Sequence, residues 1–288
     1  MSIGVPALRL GGSRYIDLSG PPAVMAVINL TEDSFYAPSR AGREEAVRRA
    51  LAAETAGAAV IDFGGESTRP GAAYVSAEEE LERVVSVIEL LRRESAIPIS
   101  VDTRKSVVAR AALDAGADIV NDVSALGDDP LLAPLCAGRG AAVILMHKKG
   151  IPSNMQDAPF YEDVVTEVLE ALLTAARRAE AAGIAKASIA IDPGIGFGKR
   201  LEDNLDLIAR LAEISAAGYP VLVGLSRKSF IGAITGKPAE GRLAGTLAAT
   251  AVAVAGGARI LRTHDVAETA DLARVLWAIA ERSRGIER

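Results

Sequence analysis

Short apolar runs recur along this chain every ~34 residues, eight times over, close to the length of one strand-helix-strand step. They begin near Val24, Ala59, Ile97, Asp118, Ala141, Ala187, Pro220 and Arg259. Longer amphipathic stretches separate them, among them 44–56, 77–93, 105–115, 164–182, 205–216 and 243–255. Several stop on glycine, at Ala56-Gly57, Ala115-Gly116, Ala182-Gly183, Ala217-Gly218 and Gly256-Gly257. A glycine just past a helix takes up the left-handed conformation that ends it. Runs that are apolar without alternation predict buried parallel strands, covered by helices on one side and packed on the other. Eight such units with no composition break predict an α/β fold, a single closed (β/α)8 TIM barrel rather than an open doubly wound sheet.

The 288 residues fit one barrel of about 250 residues with a short lead. Residues 1–22 fall outside the cadence and form that lead; 23–288 form the barrel. Around Gly11-Gly12 the lead reads as a hairpin that plugs the barrel bottom. Hydrophobic residues make up 50% and aromatics only 4%, so the core is one of Ala, Val, Leu and Ile. A single cysteine, Cys136, excludes a disulfide framework and a cysteine zinc cluster, and suits a reducing compartment. The net charge of −5 argues against a dedicated nucleic-acid binder. The first residues lack the apolar segment of a signal peptide. No run reaches the ~18 apolar residues of a membrane span; the nearest, 243–260, is broken by Thr246, Thr250 and Arg259. The expectation is a soluble, cytoplasmic protein with no membrane partner.

In such barrels the site lies at the carboxyl ends of the strands. Every expected strand here ends in polar residues: Asn29; Asp62 followed by Glu66-Ser67-Thr68-Arg69; Asp102; Asn121-Asp122; His147; Asp192; Ser226-Arg227-Lys228; and Arg262, His264 and Asp265. A single polar strand end is commonly no more than solvation. Eight together, mixing carboxylates, amides and cations, point to a binding mouth. Arg262, His264, Asn29 and Arg69 fall where the first, second and last strands meet, near the phosphate site frequent in this fold. A guanidinium fork matches phosphate oxygens, and Asn29 offers a hard oxygen to Mg²⁺. Asp102, Asn121 and Asp192 make an acceptor-rich floor, on which Asp192 suits an NH–C–NH₂ edge. The mouth is thus expected to divide into a cationic end and a carboxylate end, fit for a flat donor-rich heterocycle with a phosphate or diphosphate tail.

The run from Asp192 to Lys199 carries Gly194, Gly196 and Gly198 but is not a P-loop, because Pro193 stands at the first glycine position and Arg200 follows the lysine. Its glycines serve a turn that needs positive φ, or let a ligand approach beside Phe197; both readings hold at this point.

These strand ends resemble those of the dihydropteroate synthases. The resemblance is carried in order by 29–35, 64–71, Ser100-Val101-Asp102-Thr103, Val120-Asn121-Asp122-Val123, Leu145-Met146-His147, 192–199, Gly224-Leu225-Ser226-Arg227-Lys228 and Arg262-Thr263-His264-Asp265-Val266. It covers the chain from about Val24 to the last helix. It implies condensation of 6-hydroxymethyl-7,8-dihydropterin diphosphate with p-aminobenzoate, in folate biosynthesis, with Mg²⁺ as cofactor. It implies that Asp102, Asn121, Asp192, Gly224 and Lys228 hold the pterin, with Met146 lining its slot. Asn29, Arg69, Arg262 and His264 then serve the diphosphate, Asn29 also the metal. Phe35, Thr68, Pro70, Phe197, Lys228 and Ser229 border the p-aminobenzoate pocket. Asp102, Lys228, Arg262 and His264 carry catalysis, by cationic loss of diphosphate. The family is also a sulfonamide target and usually a homodimer through its late helices.

The first loop departs from the commoner family text, with Glu32 where Pro is usual and Tyr36-Ala37-Pro38-Ser39 where Ser-Asp-Gly-Gly is usual. Lys148-Lys149 adds positive charge after the fifth run. Among the rest, His147 reads as a structural, hydrogen-bonded group, Cys136 as a small helix residue, Tyr161 and Trp277 as packing or dimer surface, and Lys186 and Lys199 as solvated. Two rivals share the barrel: a pterin-dependent methyltransferase domain, which would not need the 66–71 loop or Ser226-Arg227-Lys228, and a non-catalytic pterin-binding relative, which would lose Arg69 or Lys228.

Overall fold

All eight apolar runs form parallel strands, each starting within two residues of its expected place. The structure, a computed structural model, describes residues 5–30, 40–66, 75–150 and 159–286. A hairpin of β1 (Ala7–Gly11) and β2 (Arg14–Asp17) leads into β3 (Ala23–Asn29) and α1 (Arg40–Thr55). Then follow β4 (Val60–Gly64), α2 (Ala77–Arg92), β5 (Ile99–Asp102), α3 (Ser106–Asp114), β6 (Ile119–Asp122), α4 (Leu132–Arg139), β7 (Ala142–Met146) and α5 (Val164–Ala181). The chain ends with β8 (Ile189–Asp192), α6 (Leu201–Ala209), α7 (Leu211–Ser215), β9 (Leu222–Gly224), α8 (Ser229–Thr235), α9 (Leu243–Ala255), β10 (Ile260–Thr263) and α10 (Val266–Ile286).

The sheet order is β8-β7-β6-β5-β4-β3-β10-β9. The ring closes between β8 and β9 through the parallel bridge Ile191–Val221 and a 2.9 Å bond from Ile191 N–H to the Pro220 carbonyl. The helix-ending glycines behave as expected, with Gly57, Gly116, Gly183, Gly218 and Gly257 all at positive φ.

Two apolar cores lie on opposite sides of the strands. Outward residues such as Ile61, Phe63, Val101, Val143 and Leu261 pack against the helices. Inward residues Met25, Val60, Ile119, Ala142, Ile144, Ala190, Leu222 and Ile260 fill the lower barrel, joined by Leu8, Leu10, Ile16 and Leu18 of the hairpin. The hairpin is thus a stopper for the barrel bottom. Because side chains alternate along a strand, the same inward rows rise from this apolar floor to Asn29, Asp62, Asp102, Asn121, Met146, Asp192, Gly224 and Arg262 at the mouth.

The expected helix over 205–216 is two helices, α6 and α7. Arg210 breaks it, at φ −104° and ψ 20°. Its guanidinium bonds Asp163 at 2.9 Å and Glu213 at 2.8 Å, and Asp163 in turn caps the start of α5. Cys136 is fully buried in α4 as a free thiol, pushed up to about 12 by burial. Trp277 packs under Arg259, 5.3 Å from ring centre to guanidinium carbon. No helix among the described residues is long and apolar enough to cross a membrane.

Candidate active site

At the centre of the mouth, Arg262 is held by two carboxylates. Its Nε donates to Asp62 Oδ2 at 2.7 Å and its Nη2 to Asp102 Oδ2 at 2.9 Å. Asp62 is fully buried, and its Oδ2 also lies 3.4 Å from Asn121 Nδ2, while its Oδ1 has no partner. The expected division of the mouth into cationic and carboxylate ends is therefore not found. Two buried carboxylates share one guanidinium, and Lys228 is a second cation attracted by Asp102. Burial first, and then the neighbouring Asp62 charge, push Asp102 up to about 7, against the pull of Arg262. Asp62 was legible only as a polar strand end; its part here depends on facing inward beside Asp102.

Asp192, Lys228 and Phe197 form the second part. Asp192 accepts from Gly194 N–H at 2.7 Å through Oδ1, and burial raises its pKa. Lys228 Nζ lies 4.1 Å above the centre of the Phe197 ring. Burial lowers the Lys228 ammonium to about 8, against the attraction of Asp192. Met146, 5% exposed, pairs with Asp192 in the β7–β8 register. Gly224 stands beside Arg262 across β9–β10, where a Cβ would come 3.9 Å from Arg262 Cβ. Ahead of Lys228, Arg227 takes the left-handed φ of 57°, unusual outside glycine. Its backbone N–H donates to Thr246 Oγ1 at 3.0 Å, its carbonyl accepts from Arg242 at 3.0 Å, and its guanidinium pairs with Asp265. That over-determined turn aims the next residue, Lys228, into the mouth.

His264 sits at the rim, exposed, with Nδ1 3.0 Å from Ser226 Oγ. Ser229 begins α8 and is exposed. Asn29 ends β3; a Cβ built on Gly64 would lie 3.8 Å from its Oδ1 and 3.9 Å from Asp102 Oδ2, so both oxygens border one glycine. Phe35, Thr68, Arg69 and Pro70, with the departures at 32 and 36–39, lie outside the described residues. What the structure does describe is the base of the second loop. Glu66 accepts from Val75 N–H at 2.7 Å, Lys105 Nζ at 3.1 Å and Arg104 Nε at 3.2 Å, tying residues 66 and 75 to the end of β5.

The glycine loop turns out to be a backbone seam. At Gly194, φ 66°, a Cβ would stand 1.9 Å from the His147 carbonyl oxygen; at Gly198, φ 63°, 2.1 Å from that of Lys149. Two of the three also face site side chains: the Gly194 Cβ would lie 3.2 Å from Met146 Cγ, and the Gly196 Cβ 3.3 Å from Lys228 Cδ. Gly194→Ala is expected to destabilise the protein by more than ~2 kcal/mol through clash and strain together, read as a lower urea midpoint; an unchanged midpoint would show that the seam opens freely. Tyr161 is buried and donates to the Gly198 carbonyl at 2.8 Å, so it is packing rather than dimer surface. The two added lysines brace the same region: Lys148 pairs with Asp128 at 3.0 Å, and Lys149 lies 4.1 Å over the Tyr161 ring. Lys186 lies over the Tyr219 ring at 4.8 Å. Lys199 is not solvated; it is 2% exposed. Nothing local in the sequence marks it, because the His147 ring and carbonyl that it meets come from the residue after β7.

Comparison with known proteins agrees with this geometry. A family model described as "Pterin binding enzyme" matches residues 25–264. The dihydropteroate synthase of Escherichia coli strain K12 is 46% identical over 267 residues, covering 91% of this chain and 93% of that protein. The structure of Xanthomonas albilineans dihydropteroate synthase with 4-aminobenzoic acid is similar at a TM-score of 0.88 and 46% identity, over 96% of this chain and 98% of that one. The same bacterium's enzyme in complex with 7,8-dihydropteroate superposes at 0.86 and 43% identity, over 96% and 99%.

Proposed function

We infer the roles of the mouth residues from one premise: the chain belongs to the dihydropteroate synthase family of pterin binding enzymes. It condenses 6-hydroxymethyl-7,8-dihydropterin diphosphate with p-aminobenzoate to 7,8-dihydropteroate and diphosphate, in folate biosynthesis. The observation that carries the residue assignment is the polar layer above the apolar barrel floor, with Asp192 at one side and Arg262 between Asp62 and Asp102 at the other.

Asp192 takes the aminopyrimidinone edge of the pterin. Gly194 N–H occupies one lone pair of Oδ1, and a carboxylate has about four, so two parallel N–H donors can still be accepted. Asn121 and Lys228 complete the polar grip, Met146 lines the slot, and the side-chain-free Gly224 leaves width for a flat ring. Departure of diphosphate from the pterin methylene leaves a delocalised cation. Asp102, 9% exposed, stabilises that cation from a buried position, where charge acts strongly. Arg262 and His264, with Arg69, neutralise the charge that gathers on the leaving group. The aryl amine is already a neutral nucleophile, so no serine or cysteine nucleophile with its base is needed. It approaches along Phe197 and Lys228, with Ser229, Phe35, Thr68 and Pro70 completing the pocket.

The donor set fits Mg²⁺. Among the described residues no group of three His, Cys, Asp or Glu side chains is arranged to hold a metal. One hard amide oxygen, Asn29 Oδ1, borders Gly64, as does Asp102 Oδ2. Mg²⁺ commonly takes one or two protein oxygens and fills its shell with phosphate and water. When bound with the diphosphate it supplies charge neutralisation to the leaving group. Dihydropteroate, detected by mass, is expected with Mg²⁺ and not in excess EDTA; full activity in EDTA would remove the metal from the account.

The exposed apolar side chains Ile234, Val252, Val275 and Ile279, on α8, α9 and α10, support a homodimer through the late helices. Sedimentation would then report twice the 29.8 kDa chain mass. The lone buried thiol suits the cytoplasm.

A further inference from the structure

Lys199 ends the glycine loop with its side chain almost wholly withdrawn from solvent, 2% exposed. Its Nζ lies 3.0 Å from His147 Nδ1, donates to the Phe197 carbonyl at 3.1 Å and reaches the His147 carbonyl at 3.5 Å. Among the described residues no carboxylate pairs with it. Asp192 and Asp203 face it from farther off with favourable charge, and Lys228 and Lys149 with unfavourable charge. A buried ammonium is costly unless each N–H finds an acceptor, and here three N–H groups meet three acceptors. The ring nitrogen among them can accept only if its proton sits on Nε2 and the imidazole is neutral. Burial and the Lys199 and Lys149 charges hold His147 down to about 3; burial lowers Lys199 itself to about 7.

These contacts join two loops. The His147 ring and carbonyl belong to the end of β7, beside Met146. The Phe197 carbonyl belongs to the loop after β8, whose phenyl ring lies beneath Lys228. The backbone seam at Gly194 and Gly198 holds the same two loops together from below. We propose that Lys199 is a positioning residue for the aryl-amine pocket: by binding the Phe197 carbonyl and a neutral His147 on one ammonium, it fixes the Phe197 wall beneath Lys228. This rests on the assignment of Phe197 to the amine pocket.

The chain has two histidines, so ¹⁵N-histidine labelling of the full-length protein gives two ring systems. The His147 ring, assigned by its loss in His147→Leu or His147→Asn, is expected as the Nε2–H tautomer and not to titrate down to about pH 5. A protonated Nδ1, or a ring titrating near 6.5, would overturn the proposal without any kinetics. In Lys199→Met the His147 Nδ1 resonance is expected to shift, and the KM for p-aminobenzoate to rise about fivefold or more, with kcat and the pterin KM within about twofold. His147→Leu should reproduce that split. His147→Asn, which keeps an acceptor near the Nδ1 position, should largely reverse it. An unchanged amine KM in Lys199→Met, or an equal fall in kcat with both KM values untouched, would overturn the role. Failure of the wild-type chain to form dihydropteroate would instead count against the proposed function, and the tautomer measurement would still decide the Lys199–His147 contact.

Discussion

Replacing Asp192 with Asn is expected to weaken binding of the pterin diphosphate by more than tenfold, with little loss of fold. The asparagine Oδ1 still accepts from Gly194 N–H, which Asp192 holds at 2.7 Å. That choice turns the side-chain amide toward the mouth, so donors meet the donor edge of the pterin. A bond to a charged group is worth about 1.5–3 kcal/mol, and an unpaired donor adds a desolvation cost. The loss should fall on pterin affinity in calorimetry, with the thermal midpoint nearly constant. Affinity equal to that of the parent chain would remove Asp192 from the pterin site. The loss of negative charge should also depress the Lys228 pKa further, since Asp192 is the main group opposing its burial.

Arg262→Ala is expected to lower kcat by about a hundredfold or more, the scale on which a removed electrostatic stabiliser acts. The same variant removes the guanidinium that bridges Asp62 and Asp102, in a layer where Asp62 is fully buried and Asp102 9% exposed. Breaking such a buried arrangement by removing one partner typically costs about 3–5 kcal/mol of stability. The pH dependence separates the two effects. Burial raises Asp102 to about 7 while Arg262 opposes the rise. If the Asp102 carboxylate carries the cation-stabilising charge, kcat/KM in the parent rises with pH through about that value. Loss of the cation that favours the charged carboxylate moves this limb to higher pH. Arg262→Lys should return part of the stability and bring the limb back down, with less of the turnover because a point charge replaces the planar fork. A change confined to the KM for p-aminobenzoate, with kcat and the pH limb unmoved, would contradict this role.

The barrel was legible because its punctuation is local. An apolar run, an amphipathic stretch and a glycine each declare themselves within a dozen residues, and strand ends in a barrel share one rim. Which residues face inward was harder to read. Val60, Ile61, Asp62 and Phe63 are all buried, and both sides of β4 meet apolar partners, so the usual alternation of apolar and polar side chains is absent. Asp62 therefore looked like one polar strand end among eight, although it binds Arg262 across 200 positions of sequence. The expected cationic and carboxylate ends failed for the same reason: proximity along a rim says nothing of contact across it. Lys199 stands beside the exposed Arg200 and reads as surface, yet its ammonium meets His147, about fifty residues earlier. The break at Arg210 likewise depends on Asp163, on a different helix cap.

The central claim is that this mouth draws diphosphate from the pterin and gives the methylene to an aryl amine. Diphosphate release, followed in the presence of Mg²⁺, tests it most directly. The account predicts release matched one for one by dihydropteroate and sustained only when pterin diphosphate and p-aminobenzoate are both present. Undiminished release without the amine, or no release with both substrates, would contradict it.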